Sequence, residues 1–181
     1  MRLEREQSLV VLIDMQQKLA PAIHETTQVQ QAALWVLEVA QQLHVPVFAT
    51  EQYPQGLGET VPVLRHLIAP VHIFSKIHFS ALREPDIRQV IQQQQRQQIV
   101  LIGTETHVCV LQTALDLLSS GYQVFVVAAA VGSRTIENKQ LALSRLQQAG
   151  ASIISLEMLA FEWLDKAGND KFRTLNQGWI R

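Results

Sequence analysis

Six short apolar segments alternate with longer segments of helical periodicity along the chain. Most of the six are continuously apolar rather than alternating, and they are rich in valine and isoleucine, which is typical of strands covered on both faces. They are Leu9–Asp14, Val45–Thr50, Val71–Lys76, Ile99–Gly103, Tyr122–Ala128 and Ser152–Ser155. Because strands that alternate with helices form parallel sheets between helix layers, the pattern predicts an α/β protein with a three-layer, Rossmann-like fold and a six-stranded parallel sheet flanked by helices.

The segments between the strands predict the covering helices. Between the first two strands, apolar residues from Val29 to Leu43 recur at helical spacing. Three more helices are predicted at Glu84–Gln95, Val108–Ser120 and Asn138–Gln148. A closing helix and tail are predicted from Met158 to Arg181, docked by Trp163 and Trp179. No repeat or proline-rich linker interrupts this pattern, so residues 1–181 are interpreted as one domain.

Composition and charge exclude several classes of protein. Hydrophobic residues make up 48% of the 181 and charged residues 17%, which is a globular balance. The longest apolar run, Val124–Val131, is far shorter than the ~20 residues that cross a bilayer, and Leu9–Ile13 is too short for the core of a signal peptide. With 15 basic and 16 acidic residues, the formal charge is −1 and no basic stripe is available for phosphates. We therefore expect a soluble, cytoplasmic protein that binds neither a membrane nor nucleic acid.

Three chemically useful side chains stand at predicted strand ends. Asp14 ends the first strand, Lys76 ends the third, and the single cysteine, Cys109, follows the fourth at the start of a helix. The carboxyl ends of parallel strands meet at one edge of a sheet, where open α/β proteins bind ligands. A helix N-terminus and a nearby ammonium lower the pKa of a thiol from ~8.5 into a range of ~3.5–7.5. We expect Cys109 to be a nucleophile with such a lowered pKa, and Asp14 to accept its proton and later pass it to a leaving group.

Each of these residues also has a common structural interpretation. A lone cysteine in an apolar chain is often an inert core residue, an aspartate after a strand often caps a helix, and a strand-end lysine is usually solvated. The joint occurrence of the three at strand ends favours the catalytic interpretation. The single cysteine also excludes an intrachain disulfide and a cysteine-based zinc site.

Three motifs carry a resemblance to a known family. They are Val-Leu-Ile-Asp-Met-Gln at 11–16, Ser-Lys-Ile-His-Phe-Ser-Ala at 75–81 and Gly-Thr-Glu-Thr-His-Val-Cys at 103–109. In these motifs the chain resembles the isochorismatase-like cysteine hydrolase superfamily, from about Leu9 to about Leu175. The segment Thr-Glu-Gln-Tyr-Pro-Gln-Gly-Leu-Gly-Glu-Thr at 50–60 is similar to the isochorismatase domain-containing subgroup, whose members are mostly of unassigned substrate.

The resemblance implies a role for each of the motif residues. Cys109 would be the nucleophile, Asp14 the general base and then acid, and Lys76 the residue that stabilises the thiolate and the intermediate. A cis peptide bond before Glu105 is also implied, which would aim the backbone N–H groups of Glu105 and Cys109 into one oxyanion hole. The implied activity is hydrolysis of a small-molecule substrate with an amide, ureido or related carbonyl centre, in a protein that forms homo-oligomers.

The chain departs from the metal-dependent members of this superfamily. Metal-dependent nicotinamidases carry an Asp-x-His pair and a further histidine after the second strand, where this chain has Glu51-Gln52-Tyr53. The six histidines are scattered and show no ligand spacing. We expect no catalytic metal and no cofactor. Isochorismatases that act on a vinyl ether lack the nucleophilic cysteine, which this chain retains.

Residues outside the motifs are candidates for substrate binding. The loop after the second strand brings Glu51 and Tyr53 to the ligand edge, and Arg134 follows the fifth strand, where it can meet a carboxylate, contact a neighbouring subunit or be solvated. His107 is expected to hold the loop before the nucleophile. Two other functions stay open at this point: a catalytically silent ligand-binding or assembly module of the same fold, and a thiol redox sensor, although the chain has no resolving cysteine.

Overall fold

The computed structural model describes residues 1–167. Its centre is a six-stranded, all-parallel sheet in the order β3-β2-β1-β4-β5-β6. The strands are β1 Ser8–Ile13, β2 Val47–Gln52, β3 Ile73–Lys76, β4 Gln98–Thr104, β5 Gln123–Gly132 and β6 Ser152–Ile154. Every residue of β1 and β4 is buried, which explains why the middle of each strand is continuously apolar.

Helices cover both faces of this sheet. They are α1 Thr26–Gln42, α2 Pro54–Leu57, α3 Pro62–Arg65, α4 Pro85–Gln93, α5 Leu111–Ser119, α6 Ile136–Gln148 and α7 Leu156–Leu164. Buried residues of α1, α3 and α7 cluster with Val10 and Leu12 of β1, whereas those of α4, α5 and α6 cluster with Leu9, Val11 and Ile13. Since successive strand residues point to opposite faces, the two clusters are two separate cores. The predicted three-layer fold is confirmed.

The order of the strands places a crevice at the end of β1. The chain moves from β1 outward through β2 to β3 and then returns to β4 on the other side of β1. Connections that leave β1 and β4 in opposite directions separate at their carboxyl ends, where open α/β sheets bind ligands. The two strand ends lie unusually close: at Gly103, which pairs with Ile13 and has a φ of 133°, a Cβ would stand 2.1 Å from the Ile13 carbonyl oxygen. Only glycine fits there.

Three details differ from the sequence prediction or lie beyond it. Strand β5 continues to Gly132 rather than ending at Ala128, and so carries the following loop to the ligand edge. The helix predicted from Val108 begins instead as a π-helical turn, Thr106–Val110, ahead of α5. Trp163 is buried and donates from Nε1 to Ser8 Oγ at 2.9 Å, as its docking role requires, while Trp179 lies outside the described residues. Within residues 1–167, no helix has the length and apolar character to cross a membrane.

Candidate active site

The residue directly after each of three neighbouring strands has a left-handed backbone conformation. Asp14 after β1 has a φ of 47°, Tyr53 after β2 has 39° and Glu105 after β4 has 56°. Non-glycine residues rarely adopt this conformation, which costs of order 1–3 kcal/mol and persists where the surroundings enforce it. At Asp14 the enforcing contacts are the bond from its N–H to the Thr50 carbonyl, 3.1 Å, and the bond from Thr104 Oγ1 to its own carbonyl, 2.6 Å. The crevice is therefore lined by three sharp, fixed turns.

Asp14 and Lys76 form an ion pair with no exposure to solvent. The Lys76 Nζ to Asp14 Oδ2 distance is 2.6 Å, and both side chains are 0% exposed. Thr50 Oγ1 donates to the other carboxylate oxygen, Oδ1, at 2.7 Å. Oδ2 lies at ion-pair distance from Nζ but accepts no hydrogen bond of good geometry from the described residues. The carboxylate is thus fixed by charge and by one hydroxyl, with one oxygen left to accept a proton.

The Lys76 ammonium is surrounded by acceptors. Besides Asp14, Nζ reaches Gln52 Oε1 at 2.6 Å, the Phe79 carbonyl at 3.0 Å and the His78 carbonyl at 3.2 Å. An ammonium has three N–H donors, and the three hydrogen bonds to Gln52, His78 and Phe79 use all of them. Lys76 therefore acts on its surroundings through its positive charge rather than through a free N–H bond.

Cys109 lies within the π-helical turn and is 4% exposed. The pKa of its thiol is raised to about 12: burial raises it most, the Asp14 and Glu105 carboxylates raise it as well, and the Lys76 ammonium lowers it. The expectation of a lowered pKa is therefore wrong. Its physical reason is that the thiol is buried beside two carboxylates and only one ammonium. The raised pKa favours the neutral thiol at neutral pH, and the Asp14 carboxylate is one of the charges that act on it.

The turn before Cys109 is built differently from the sequence expectation. Residues 1–167 contain no cis peptide bond, so the predicted cis bond before Glu105 is wrong. The left-handed conformation of Glu105, with φ 56° and ψ 61°, reverses the chain instead, and its carbonyl accepts from the N–H of Val108 at 2.9 Å. That Glu105 and Cys109 donate their amides to an oxyanion stays a prediction.

The loop after β5 holds this turn through two side chains. Arg134 Nε donates to Glu105 Oε1 at 3.0 Å, and the Ser133 hydroxyl lies 3.0 Å from His107 Nδ1. His107 Nε2 is also 4.0 Å from Glu105 Oε2. The hydrogen bond and charge of Glu105 raise the pKa of the Arg134 guanidinium, so Arg134 stays charged. His107 thus contacts the loop after β5, and the carboxylate that Arg134 meets is that of Glu105.

Two other residues predicted to bind substrate have different surroundings. The Glu51 carboxylate is buried and Oε1 accepts from Thr60 N at 2.7 Å, Thr60 Oγ1 at 2.8 Å and Arg65 NH1 at 2.7 Å. These bonds hold the loop that contains α2 and α3 and leave that oxygen no free capacity. Tyr53 is 55% exposed at the rim of the crevice. Substrate contact by either residue stays a prediction.

Sequence reasoning missed a set of polar residues around the ion pair. Gln16 Oε1 accepts from the Gln52 amide at 2.8 Å, and Gln16 Nε2 donates to the Gln52 carbonyl at 3.0 Å, so the end of β2 is clamped beside Lys76. The available signal was the polar character of Thr50 and Gln52 at the carboxyl end of a strand that begins apolar. Two further hydroxyls, Ser80 Oγ and Thr106 Oγ1, are buried without a hydrogen-bond partner in the described chain. No group of three or more His, Cys, Asp or Glu residues within 1–167 has the geometry of a metal site.

Comparisons with known proteins identify the family and the fold of the chain. A family model described as Isochorismatase domain matches residues 8–158. Isochorismatase domain-containing protein 2A of Mus musculus is 39% identical over 178 residues, covering 97% of this chain and 84% of its own. The structure of MAR1 ribonuclease from Caenorhabditis elegans superposes with a TM-score of 0.92 at 32% identity, covering 100% of this chain and 93% of its own. The Escherichia coli YcaC structure, described as an octameric hydrolase of unknown specificity, has a TM-score of 0.89 at 23% identity, with 99% and 96% covered.

Proposed function

Since the chain belongs to the isochorismatase family of hydrolases, we propose that it is a metal-independent cysteine hydrolase with Cys109, Asp14 and Lys76 as its catalytic residues. Its substrate is a small molecule with an amide, ureido or related carbonyl centre. The observation that carries the proposal is the solvent-free Asp14–Lys76 ion pair beside the single thiol of the chain. A lysine and an aspartate are almost never fully buried without a function or a partner, and here the pair adjoins a nucleophile.

The reaction starts from the neutral thiol. Because burial and the two nearby carboxylates raise the pKa of Cys109 to about 12, free thiolate is scarce, and Asp14 removes the proton as the sulfur attacks the carbonyl carbon. The carbonyl π electrons move to oxygen, and backbone amides of Glu105 and Cys109 receive the resulting oxyanion. The positive charge of Lys76 balances the negative charge that develops on sulfur during the attack.

The second half of the reaction releases both products. The tetrahedral intermediate collapses, the C–N bond breaks, and Asp14 returns its proton to the leaving amine, which leaves a thioester on Cys109. A water molecule then gives a proton to Asp14 and attacks the thioester. Cleavage of the C–S bond frees the acid product, and the proton on Asp14 restores the thiol. Three acceptors fix the Lys76 ammonium, and the fixed positive charge keeps the Asp14 carboxylate in place throughout.

Mass spectrometry of the intact protein tests the proposal directly. Incubation with a panel of small amides and carbamoyl compounds is expected to yield a covalent acyl adduct, which the single cysteine makes assignable to Cys109. Cys109→Ala should abolish adduct and turnover, and Asp14→Asn should slow turnover by at least about 100-fold. Asp116→Asn is the matched control, since this aspartate lies on α5 and pairs with Arg83 at 3.7 Å. Turnover that survives Cys109→Ala would overturn the proposal.

The alternative is a catalytically silent module that binds a ligand or a partner. The burial of the site favours it, since Asp14, Lys76 and Cys109 are each no more than 4% exposed in the isolated chain. A silent module would bind a compound of the panel, as measured by a rise in melting temperature, with neither adduct nor turnover. A cysteine hydrolase gives both.

Assembly and substrate class can be tested with the same preparation. Ile77 and Phe79 follow Lys76 and are 71% and 52% exposed, an apolar surface suited to contact with a second copy. We expect a homo-oligomer, and a monomer by light scattering at micromolar concentration would contradict this.

The formal charge of −1 argues against nucleic acid as substrate, although the C. elegans neighbour is described as a ribonuclease. Cleavage of RNA that is lost in Cys109→Ala would replace the amide or ureido assignment.

A further inference from the structure

We propose that Glu105 and Arg134 form a positioning pair that sets the ease with which Cys109 becomes a thiolate: the Glu105 carboxylate opposes it, and the Arg134 guanidinium offsets the carboxylate. The inference rests on the proposed role of Cys109 as nucleophile and assigns new roles to two side chains near it. Neither residue needs to contact the substrate. Both act through their charges, Glu105 on the sulfur and Arg134 on Glu105.

The geometry places Glu105 at the start of that turn. The residue has a left-handed φ of 56°, its carbonyl accepts from the amides of Val108 and Val110, and the latter bond closes around Cys109. Its side chain is 7% exposed, whereas that of Arg134, whose Nε donates to it at 3.0 Å, is 62% exposed. A buried carboxylate thus depends for its compensation on a cation that reaches in from solvent.

The loop that carries Arg134 is itself fixed. The Ser133 carbonyl accepts from the His24 amide at 2.9 Å, and the Ser133 hydroxyl lies 3.0 Å from His107 Nδ1. Before it, a Cβ at Gly132 would stand 2.7 Å from Ile23 Cγ2, so the strand end is packed closely against the segment before α1. Arg134 therefore approaches Glu105 from a held backbone position.

The charges around the sulfur explain why this pair matters. Asp14, Lys76 and Glu105 are the charged groups that act on the thiol, two negative and one positive. Around Glu105 the charged or titratable groups are Arg134 and His107. The neighbouring helices direct their charges elsewhere: Asp116 of α5 pairs with Arg83, and Lys139 of α6 interacts with Glu25. Within residues 1–167, Arg134 is the cation that pairs with Glu105.

Opposite effects of the two single substitutions distinguish this electrostatic role from a merely structural one. The rate constant for alkylation of Cys109 by iodoacetamide, in which the thiolate displaces iodide, follows the thiolate fraction and is measured between about pH 7 and pH 10. Glu105→Gln removes the opposing charge and should speed alkylation about tenfold. Arg134→Ala leaves Glu105 uncompensated and should slow it by about the same factor, since each tenfold corresponds to one pKa unit. The double substitution should behave like Glu105→Gln.

Arg134→Lys keeps the charge and should restore part of the rate, while Arg145→Ala on the exposed side of α6 should leave it unchanged. If the pair only holds the turn, both single substitutions change the rate in the same direction, and Arg134→Ala speeds alkylation by opening access to the buried sulfur. A change in the same direction for both variants, or faster alkylation in Arg134→Ala, overturns the inference. Should Glu105→Gln fail to fold, the comparison of Arg134→Ala with Arg134→Lys still decides, because an exposed side chain changes in both. The alkylation measurement needs no substrate, so its outcome is independent of whether Cys109→Ala abolishes turnover.

Discussion

Two carboxylates flank the same thiol, and their cations come from opposite environments. Asp14 is paired with Lys76, and neither side chain is exposed. Glu105 is paired with Arg134, whose side chain is 62% exposed. Lys76 also donates to a side-chain amide and two backbone carbonyls. Among the described residues, the Arg134 side chain donates a hydrogen bond to Glu105 alone. One pair is a fixed part of the core, and the other is accessible to water and salt.

The difference teaches what each pair contributes. Burying two charges costs several kcal/mol for each ion, which a close pair offsets only when every remaining donor and acceptor finds a partner. Lys76 meets that condition through its three acceptors, whereas one oxygen of Asp14 accepts no hydrogen bond from the described residues and depends on the charge of Lys76 alone. The outer pair has lost less hydration and is worth less to folding, so its contribution is expected in the chemistry of Cys109 rather than in stability.

The largest effect is expected from breaking the inner pair. Lys76→Met should lower the free energy of unfolding by about 3–5 kcal/mol, because it leaves the Asp14 charge buried without a partner. Adding Asp14→Asn should recover part of that loss, since the amide carries no charge. Urea unfolding measures both, with the exposed Lys18→Met as control. A loss below about 1 kcal/mol for Lys76→Met would show that the pair is not as buried as its 0% exposure implies.

Next in size is the substitution that separates the two strand ends carrying Asp14 and Glu105. Gly103→Ala puts a Cβ 2.1 Å from the Ile13 carbonyl oxygen at a φ of 133° and should cost about 3 kcal/mol, from overpacking and backbone strain together. Gly121→Ala is the matched control, because its φ of 86° is also positive but a Cβ there meets nothing within 4 Å. We expect about 1 kcal/mol for the control. Equal losses at both positions would remove the argument from close strand contact.

Continuous apolar runs were enough to predict the six strands, because strands buried on both faces leave no other pattern. Asp14, Lys76 and Cys109 could be brought together for a related reason: parallel strands deliver their ends to one edge, whatever the loops do. The predictions that failed concerned local features of the site. The pKa of Cys109 depends on how many charges of each sign surround a buried sulfur, and the sequence shows Glu105 without showing that its carboxylate turns inward.

The pairing of Arg134 with Glu105 was invisible for the same kind of reason. It depends on β5 continuing to Gly132, four residues beyond the predicted strand end at Ala128. That extension accompanies a register shift between Leu101 and Gly103 of β4, which no apolar pattern encodes. The contacts that hold Glu51 are likewise set by the fold of the loop from Tyr53 to Arg65, where Thr60 and Arg65 return to the strand end.

A smaller effect is expected at the loop that supplies two of the carbonyls around Lys76. Glu84 Oε1 accepts from the His78 amide at 3.0 Å and the Ile77 amide at 2.9 Å, and these bonds, together with the His78 side chain, lower the pKa of its carboxyl from 4.5 to about 2. A carboxyl whose pKa is lowered by folding stabilises the folded state fully at pH values above its ordinary pKa of 4.5. That contribution is lost as the pH falls from 4.5 towards 2. Glu84→Gln should lose about 2 kcal/mol at neutral pH.

The same variant should show a flatter pH dependence, so that its stability and that of the unsubstituted chain converge as the pH falls from 4.5 towards 2. Urea unfolding at a series of pH values checks this, with Glu157→Gln, at an exposed position of α7, as control. A constant difference between the two chains over that range would mean that the bonds to Glu84 do not depend on its charge. Loss of activity without loss of stability would place its effect on the carbonyls that hold Lys76.

The smallest effect on stability is expected from breaking the outer pair. Arg134→Ala should cost about 1 kcal/mol, because the cation that it removes is itself mostly exposed and well solvated. The loss should shrink when salt is raised from about 0.01 M to about 1 M, since the Debye length falls from about 30 Å to about 3 Å and screens an exposed cation. The loss caused by Lys76→Met should not change over the same range, because no ion reaches a pair without exposed atoms. Equal salt dependence in the two variants would mean that both pairs meet solvent alike, and the distinction between a fixed inner pair and an adjustable outer one would then fail.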